Sequence, residues 1–317
     1  IKNNQTLSTS DIMRLLFTPI LIHNCFYMHP GIGTDLPVFI FGSILSIELF
    51  RMIFEDKKNI NIILICIFLG FSSKMSFLPT AVFSIIVLFI VCFQKISNVI
   101  LKHKITILLV ILACAFQIHR NISLTGYPVY PFEYVSVPVE WKMNKDEVSI
   151  LSKGISSWAK GIRGEIGLEE MEKMEKEWIK SRFLTQHRRV ETLYPLSLGI
   201  VGLLFVIFSK RLHWKRLCIF ILPALGQMGM WYYHSPDTRF ASFAFWWFGA
   251  GLICFAIKDI FPRKLLLLLL IVVFLFSFSL HTIDALGQDK DLYVLVPSES
   301  IPASPTASIY TTKSGFE

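Results

Sequence analysis

The chain has 317 residues, of which 53% are hydrophobic and only 17% charged, with a mean hydropathy of +0.56. Soluble domains carry about 25% charged residues, so the balance argues against a soluble protein and for an all-α polytopic membrane protein. A formal charge of +8 does not signal nucleic acid, because many of the basic residues sit in short loops between apolar runs, where they set topology.

Nine apolar runs follow one another, at 12–27, 37–54, 60–71, 75–93, 105–118, 196–208, 217–232, 240–257 and 265–280. A straight span needs about 20 residues, so the shorter runs must borrow flanking polar residues or form broken helices. The runs at 60–71 and 75–93 are parted only by Ser72-Ser73-Lys74. Taken together they are too long for one span. The six cysteines all lie inside apolar runs without CxxC spacing and read as small buried hydrophobes. Glu48 and Arg51, three apart, read as a surface ion pair of one helix.

Loop charge orients the runs. With nine spans and an inner N-terminus, the inner loops hold Arg51, Lys57, Lys58, Lys95, Lys102, Lys104, Lys210, Arg211, Lys215, Arg216, Lys258, Arg263 and Lys264, thirteen basic residues. The short outer loops 28–36, 72–74 and 233–239 hold two, Lys74 and Arg239. That is the expected bias toward the inside. The chain then divides into about five N-terminal spans (1–118), an outer-face loop (119–195), about four C-terminal spans (196–280) and an outer-face tail (281–317). In the loop, the prolines and glycine of Arg120-Asn121-Ile122-Ser123-Leu124-Thr125-Gly126-Tyr127-Pro128-Val129-Tyr130-Pro131-Phe132 argue against a helix and for an extended aromatic strip. Residues 146–161 and 167–185 carry apolar residues at helical spacing and predict two amphipathic helices, lying on the membrane or folded over an outward cavity. The chain begins on Ile1 without a leader pattern and reads as a piece of a longer protein.

The candidate polar groups gather on the outer side. Asp35, in His29-Pro30-Gly31-Ile32-Gly33-Thr34-Asp35, is either a general base or metal ligand or a cap for the next helix. Lys74 either holds a phosphate or snorkels. Arg120 either binds a lipid phosphate or anchors a helix end. In His234-Ser235-Pro236-Asp237-Thr238-Arg239, Arg239 runs against the charge rule. It suits a bidentate grip on phosphate or carboxylate, or a local pair with Asp237 that closes a turn. No spacing matches a zinc site, a P-loop or a nucleophile elbow.

The order of short phrases carries more than any one of them. Gly33-Thr34-Asp35-Leu36-Pro37 is followed by the Lys74 break with Leu78-Pro79 and by Arg120-Asn121 with Thr125-Gly126-Tyr127-Pro128-Val129-Tyr130-Pro131. Pro236-Asp237-Thr238-Arg239-Phe240 comes last. This order resembles polytopic bacterial membrane proteins related to the GT-C glycosyltransferases, over most of residues 30–245. The resemblance implies a protein of the bacterial inner membrane that transfers a sugar from a polyprenyl-phosphate donor at the outer face. It makes Arg239, Lys74 and Arg120 the groups for the donor phosphate, with His234 and Asp237 shaping that grip. The catalytic aspartate is then expected upstream of Ile1 or, within the chain, at Asp35. No motif specifies a cofactor, and a divalent cation is the one left open; membrane lipid and the lipid-linked sugar are the expected partners. Two other classes fit the same layout. A polysaccharide polymerase, ligase or flippase shares the many spans and the large outer loop. A transporter or non-catalytic scaffold wants ionisable groups near the midplane and an internal repeat, and no repeat is found.

Overall fold

Eight of the nine apolar runs fold as helices in the computed structural model; the run at 265–280 lies outside the described residues. Those residues are 8–27, 35–160, 192–208, 214–234 and 237–260, and their regular structure is all helical. All of them belong to the first of two units, Ile1–Phe274 and Leu275–Glu317. The helices are α1 (Thr9–Tyr27), α2 (Asp35–Phe54), α3 (Ile60–Ser73), α4 (Leu78–Cys92), α5 (Ile96–Lys102), α6 (Lys104–Thr125), α7 (Lys145–Lys160), α8 (Leu193–Phe208), α9 (Trp214–His234) and α10 (Ser242–Ile260). One-turn 3₁₀ segments at Met75–Phe77, Phe93–Lys95 and Thr238–Phe240 join them at breaks. The second amphipathic helix expected at 167–185 lies outside the described residues.

Local chemistry sets several ends. Ser8 and Asp11 form a reciprocal capping box: the Ser8 N–H donates to Asp11 Oδ2 (3.0 Å) and the Asp11 N–H to Ser8 Oγ (3.3 Å). The next free donor, the Ser10 N–H, reaches Glu55 Oε1 at 2.8 Å, which ties the start of α1 to the end of α2. Pro79 stands in the first turn of α4, where its missing N–H costs nothing. Gly126 stops α6 with φ +80°, a left-handed cap that suits glycine. Residues 120–125 are therefore helical, contrary to the extended strip expected there. The glycine acts only at its own position, and the prolines lie beyond the last turn.

Among the described residues, three stretches are long and apolar enough to cross a membrane, namely Asp35–Phe54, Met75–Lys102 and Lys104–Thr125; Ile60–Ser73, Leu193–Ile207 and Ser242–Ala256 are apolar but shorter. The 14 residues of α3 span about 21 Å at ~1.5 Å per residue, against a hydrocarbon core of ~30 Å.

α10 is the centre of the bundle. It packs on α1, α2, α8 and α9, and Phe243, Ala244, Phe245, Trp246, Trp247 and Ala250 are buried around its whole circumference. A helix apolar all round belongs in such a place. The contact with α8 depends on small residues: a Cβ on Gly249 would stand 2.2 Å from the Pro195 carbonyl oxygen. α2 is enclosed as well, by α1, α3, α9 and α10. That burial corrects the surface placement of Glu48 and Arg51. Glu48 is only 5% exposed, and the pair, 2.6 Å apart, is drawn toward the bundle because α2 is packed against four neighbouring helices. α6 is the opposite case, with no buried side chain. Cys66, Cys92 and Cys254 are buried free thiols as expected, whereas Cys218 is exposed.

The Gly249 contact gives a direct test. Gly249→Val drives a side chain into backbone that cannot rotate away, and is expected to cost about 1–3 kcal/mol. At Gly154 an added Cβ would meet nothing within 4 Å, so alanine is accepted there without loss. Thermal melting of the detergent-solubilised variants should separate the two.

Candidate functional site

The site is assembled at the end of the bundle where α2 begins and α3 ends. α3 stops at Ser73. Lys74 takes an extended conformation (φ −157°, ψ 130°) before the 3₁₀ turn Met75–Phe77 leads into α4. This single extended residue turns the Lys74 side chain back toward α2. Its ammonium forms an ion pair with Asp35 Oδ1 in the first turn of α2 and lies 4.0 Å from the centroid of the Phe240 ring. Both members of the pair are largely enclosed, with side chains 20% and 15% exposed for Lys74 and Asp35. Asp35 also sits where a helix N-terminus favours negative charge.

Gln227 holds these breaks in register. It lies two turns before the end of α9, is 2% exposed, and would be costly there without partners. Its Nε2 donates to the Ser76 carbonyl at 2.8 Å and to the Phe240 carbonyl at 2.9 Å, and its Oε1 accepts from Thr80 Oγ1 at 2.9 Å. One amide thus joins the turn after Lys74, the start of α4 and the turn before α10. One helical turn on, the Trp231 indole N–H donates to the Asp237 carbonyl at 2.7 Å, and its ring packs edge-on against Phe245 at 5.1 Å. The Phe240 N–H donates to the same carbonyl at 3.0 Å.

Beside Lys74 opens a cavity of about 770 Å³. Its walls come from Met75, Leu78 and Pro79, from Gln227, Met230, Trp231 and His234 on α9, and from Phe240. The remaining wall is α7, through Ile150, Leu151, Gly154 and Ile155, with Pro131 and Phe132 beside it. The loop after α6 brings α7 there. Tyr127 is buried, and its hydroxyl donates to the Met143 carbonyl (3.3 Å) while the Met143 N–H returns to the Thr125 carbonyl (3.0 Å). Asn121 Nδ2 donates to the Pro128 carbonyl at 3.0 Å. The chain is thereby folded back on the end of α6. Val148 anchors α7 at 0% exposure, whereas Ile150 remains 69% exposed. Ile150, Leu151 and Ile155, apolar residues of the expected amphipathic helix, line the cavity and remain partly exposed. The Phe132 and His234 rings meet edge to face, 6.3 Å apart.

The residues singled out in the sequence divide accordingly. Asp35 and Lys74 are paired, His234 lines the cavity, and Asp237 is buried beneath it. The Arg239 backbone lies in the 3₁₀ turn Thr238–Phe240; its side chain is outside the described residues. Arg120 is exposed on α6 and is not part of the cavity wall. Among the described residues no group of three or more His, Cys, Asp or Glu is placed to hold a metal. Sequence reasoning passed over Gln227, Trp231, Phe132 and Phe240. Gln227 alone had a usable signal, an amide in the middle of an apolar run.

What the arrangement offers is a large volume walled mainly by hydrocarbon, with one ammonium at its edge. Such a site suits an amphiphile with an anionic head. Gln227→Leu keeps the volume but leaves Thr80 and two carbonyls without their partner. It is expected to cost about 2–4 kcal/mol, read as a lower melting temperature, with Gln227→Glu intermediate.

Comparison with known proteins adds one relationship. No curated protein and no solved structure matches the chain. The family described as Domain of unknown function (DUF8201) matches residues 1–247. That match takes in the enclosed helices up to α10, the Lys74 break and the cavity, and the chain belongs to this family.

Proposed function

We infer that the protein is a multi-pass protein of the bacterial inner membrane that transfers a sugar from a polyprenyl-phosphate donor at the outer face. The observation that carries this reading is the cavity, where hydrocarbon walls of the kind an isoprenoid chain prefers meet the Lys74 ammonium that a phosphate requires. The order of phrases shared with GT-C-like proteins supports the sugar-transfer chemistry. His234 lines the same cavity, and Arg239 lies one residue from Phe240, on which Lys74 rests.

The nine-span topology draws support from the distribution of loop contacts. At the end opposite the cavity, Glu55 bonds to Ser10, and Asn61 Oδ1 lies 2.7 Å from His103 Nδ1 and 2.9 Å from Thr106 Oγ1. The basic loops 55–59 and 94–104 therefore share an end, which is the inner one by the charge rule. The cavity, α7 and the loop from 126 onward then face outward. In a polymerase or ligase the donor carries a diphosphate, which calls for more positive charge than the single lysine among the described cavity-lining side chains.

Two measurements test this reading. A reporter fused at Gly164 is expected outside and one at Trp214 inside; the reverse result removes the outer-face site. In cells, Lys74→Ala and Arg239→Ala are each expected to lower glycan transfer by about 10–100-fold, as loss of a charge-assisted contact does, with membrane insertion unchanged. Purified protein should use a polyprenyl-phosphate sugar and ignore a diphosphate-linked oligosaccharide. The opposite preference would assign it to polymerisation.

A further inference from the structure

We propose that Asp35 is a built-in counter-anion that competes with the ligand for Lys74, and so acts as a positioning residue that weakens and releases the bound anion rather than as the base of the reaction. The inference rests on the reading of Lys74 as the group that holds a phosphate.

Placement comes first. Lys74, Phe240 and His234 line the cavity, and Asp35 does not. Asp35 meets Lys74 from the α2 side, in the first turn of that helix. A general base has to come within hydrogen-bond reach of the proton it removes, and Asp35 is one side chain too far back.

Electrostatics gives the carboxylate a different task. The Lys74 side chain is mostly enclosed, pressed on an aromatic ring and next to hydrocarbon. An ammonium placed there has given up part of its hydration, and a nearby anion offsets that cost. Asp35 restores neutrality while the cavity holds no anion. When a phosphate enters, two anions face one lysine. Like charges at a shared partner oppose each other, so each lowers the affinity of the other for Lys74.

The geometry lets the exchange happen without stranding either charge. Asp35 stands among the first N–H groups of α2, which have no acceptor within the helix, and at the positive end of its dipole. The carboxylate thus has a second favourable environment within its own residue's reach. Lys74 is carried on an extended residue between two helical segments, and its ammonium lies against Phe240. The ring's negative face supports the cation through the exchange. A site with a permanent internal competitor binds its anion less tightly and gives it up faster, which suits a protein that must discharge a spent lipid phosphate in each cycle.

The test uses the full chain in detergent with citronellyl phosphate as probe and citronellol as its uncharged counterpart. Asp35→Asn keeps the size and a carbonyl for Lys74 but removes the charge. It is expected to strengthen binding of citronellyl phosphate about tenfold and leave citronellol binding unchanged. Lys74→Met should abolish the preference for the phosphate, and adding Asp35→Asn to it should bring no gain. Damage to the fold cannot strengthen binding of one probe alone, so the selective gain distinguishes competition from a structural role. Unchanged or weaker phosphate binding by Asp35→Asn overturns the proposal. If that happens while wild-type protein still prefers the phosphate through Lys74, the phosphate reading of the site stands and only the counter-anion falls. If wild-type protein shows no preference for the phosphate, both fall. Melting temperatures provide a reading that needs no ligand. Lys74→Met removes the ammonium that faces the Asp35 carboxylate, and the double variant is expected to melt higher than Lys74→Met; an equal or lower value counts against the pairing. Should Asp35→Asn alone not fold, a folded double variant supports the pairing, and an unfolded one overturns it.

Discussion

The polar end of this helix bundle depends on one buried amide. Gln227 sits in the apolar middle of its helix, and a primary amide in that position is tolerable only if its oxygen and its nitrogen are both bonded. Thr80 and the carbonyls of Ser76 and Phe240 provide for that. The three partners lie on three different breaks or starts, which the amide ties together. Satisfying the amide sets the distance between the turn that carries Lys74 and the turn that carries Phe240. The contact of the ammonium with that ring follows from it.

Hydrocarbon packing sets the frame in which the amide works. α10 is buried on all sides and brought close to α8 where Gly249 faces the Pro195 carbonyl. In a lipid environment this kind of close contact between small residues is what drives helices together. α6, without a buried side chain, stands at the periphery and contributes mainly through the loop it delivers. The bonds from Tyr127, Met143 and Asn121 fold that loop back and bring α7 to the cavity. The apolar residues of α7 remain partly exposed there, so the same helix both walls the cavity and presents hydrocarbon outward.

Charge is handled the same way at both ends. Lys74 with Asp35, and Arg51 with Glu48, are enclosed ions that occur beside their opposites. The reason is the cost of an isolated charge away from water, which exceeds what packing returns. At one end the pair lies on consecutive turns of one helix and is visible as an i,i+3 spacing. At the other the partners are 39 residues apart, and one of them also faces a cavity. That difference is why the second pair can exchange partners with a ligand.

The sequence alone determined most of the helical segments, because run length, hydropathy and end chemistry act over a few residues; the helix at Ile96–Lys102, read as part of an inner loop, is the exception besides 120–125. It marked the Lys74 break and the amphipathic stretch from 146, and it drew attention to Asp35, Lys74 and His234 through local composition. It erred where a local signal was read too broadly. The prolines after Gly126 were extended backward onto residues 120–125, and Glu48–Arg51 was placed on a surface although Glu48 is buried. Tertiary structure decided which residues meet. Asp35 with Lys74, Gln227 with Thr80 and the Ser76 carbonyl, and α7 with the mouth of the cavity are all pairings between segments far apart in the chain. Hydropathy makes α6 and α10 look alike, yet one is peripheral and the other central. Only the neighbouring helices, which bring glycines such as Gly42 and Gly202 close against α10, separate them. A one-dimensional pattern records the cost of leaving a side chain in the wrong solvent; it does not record which partner relieves that cost.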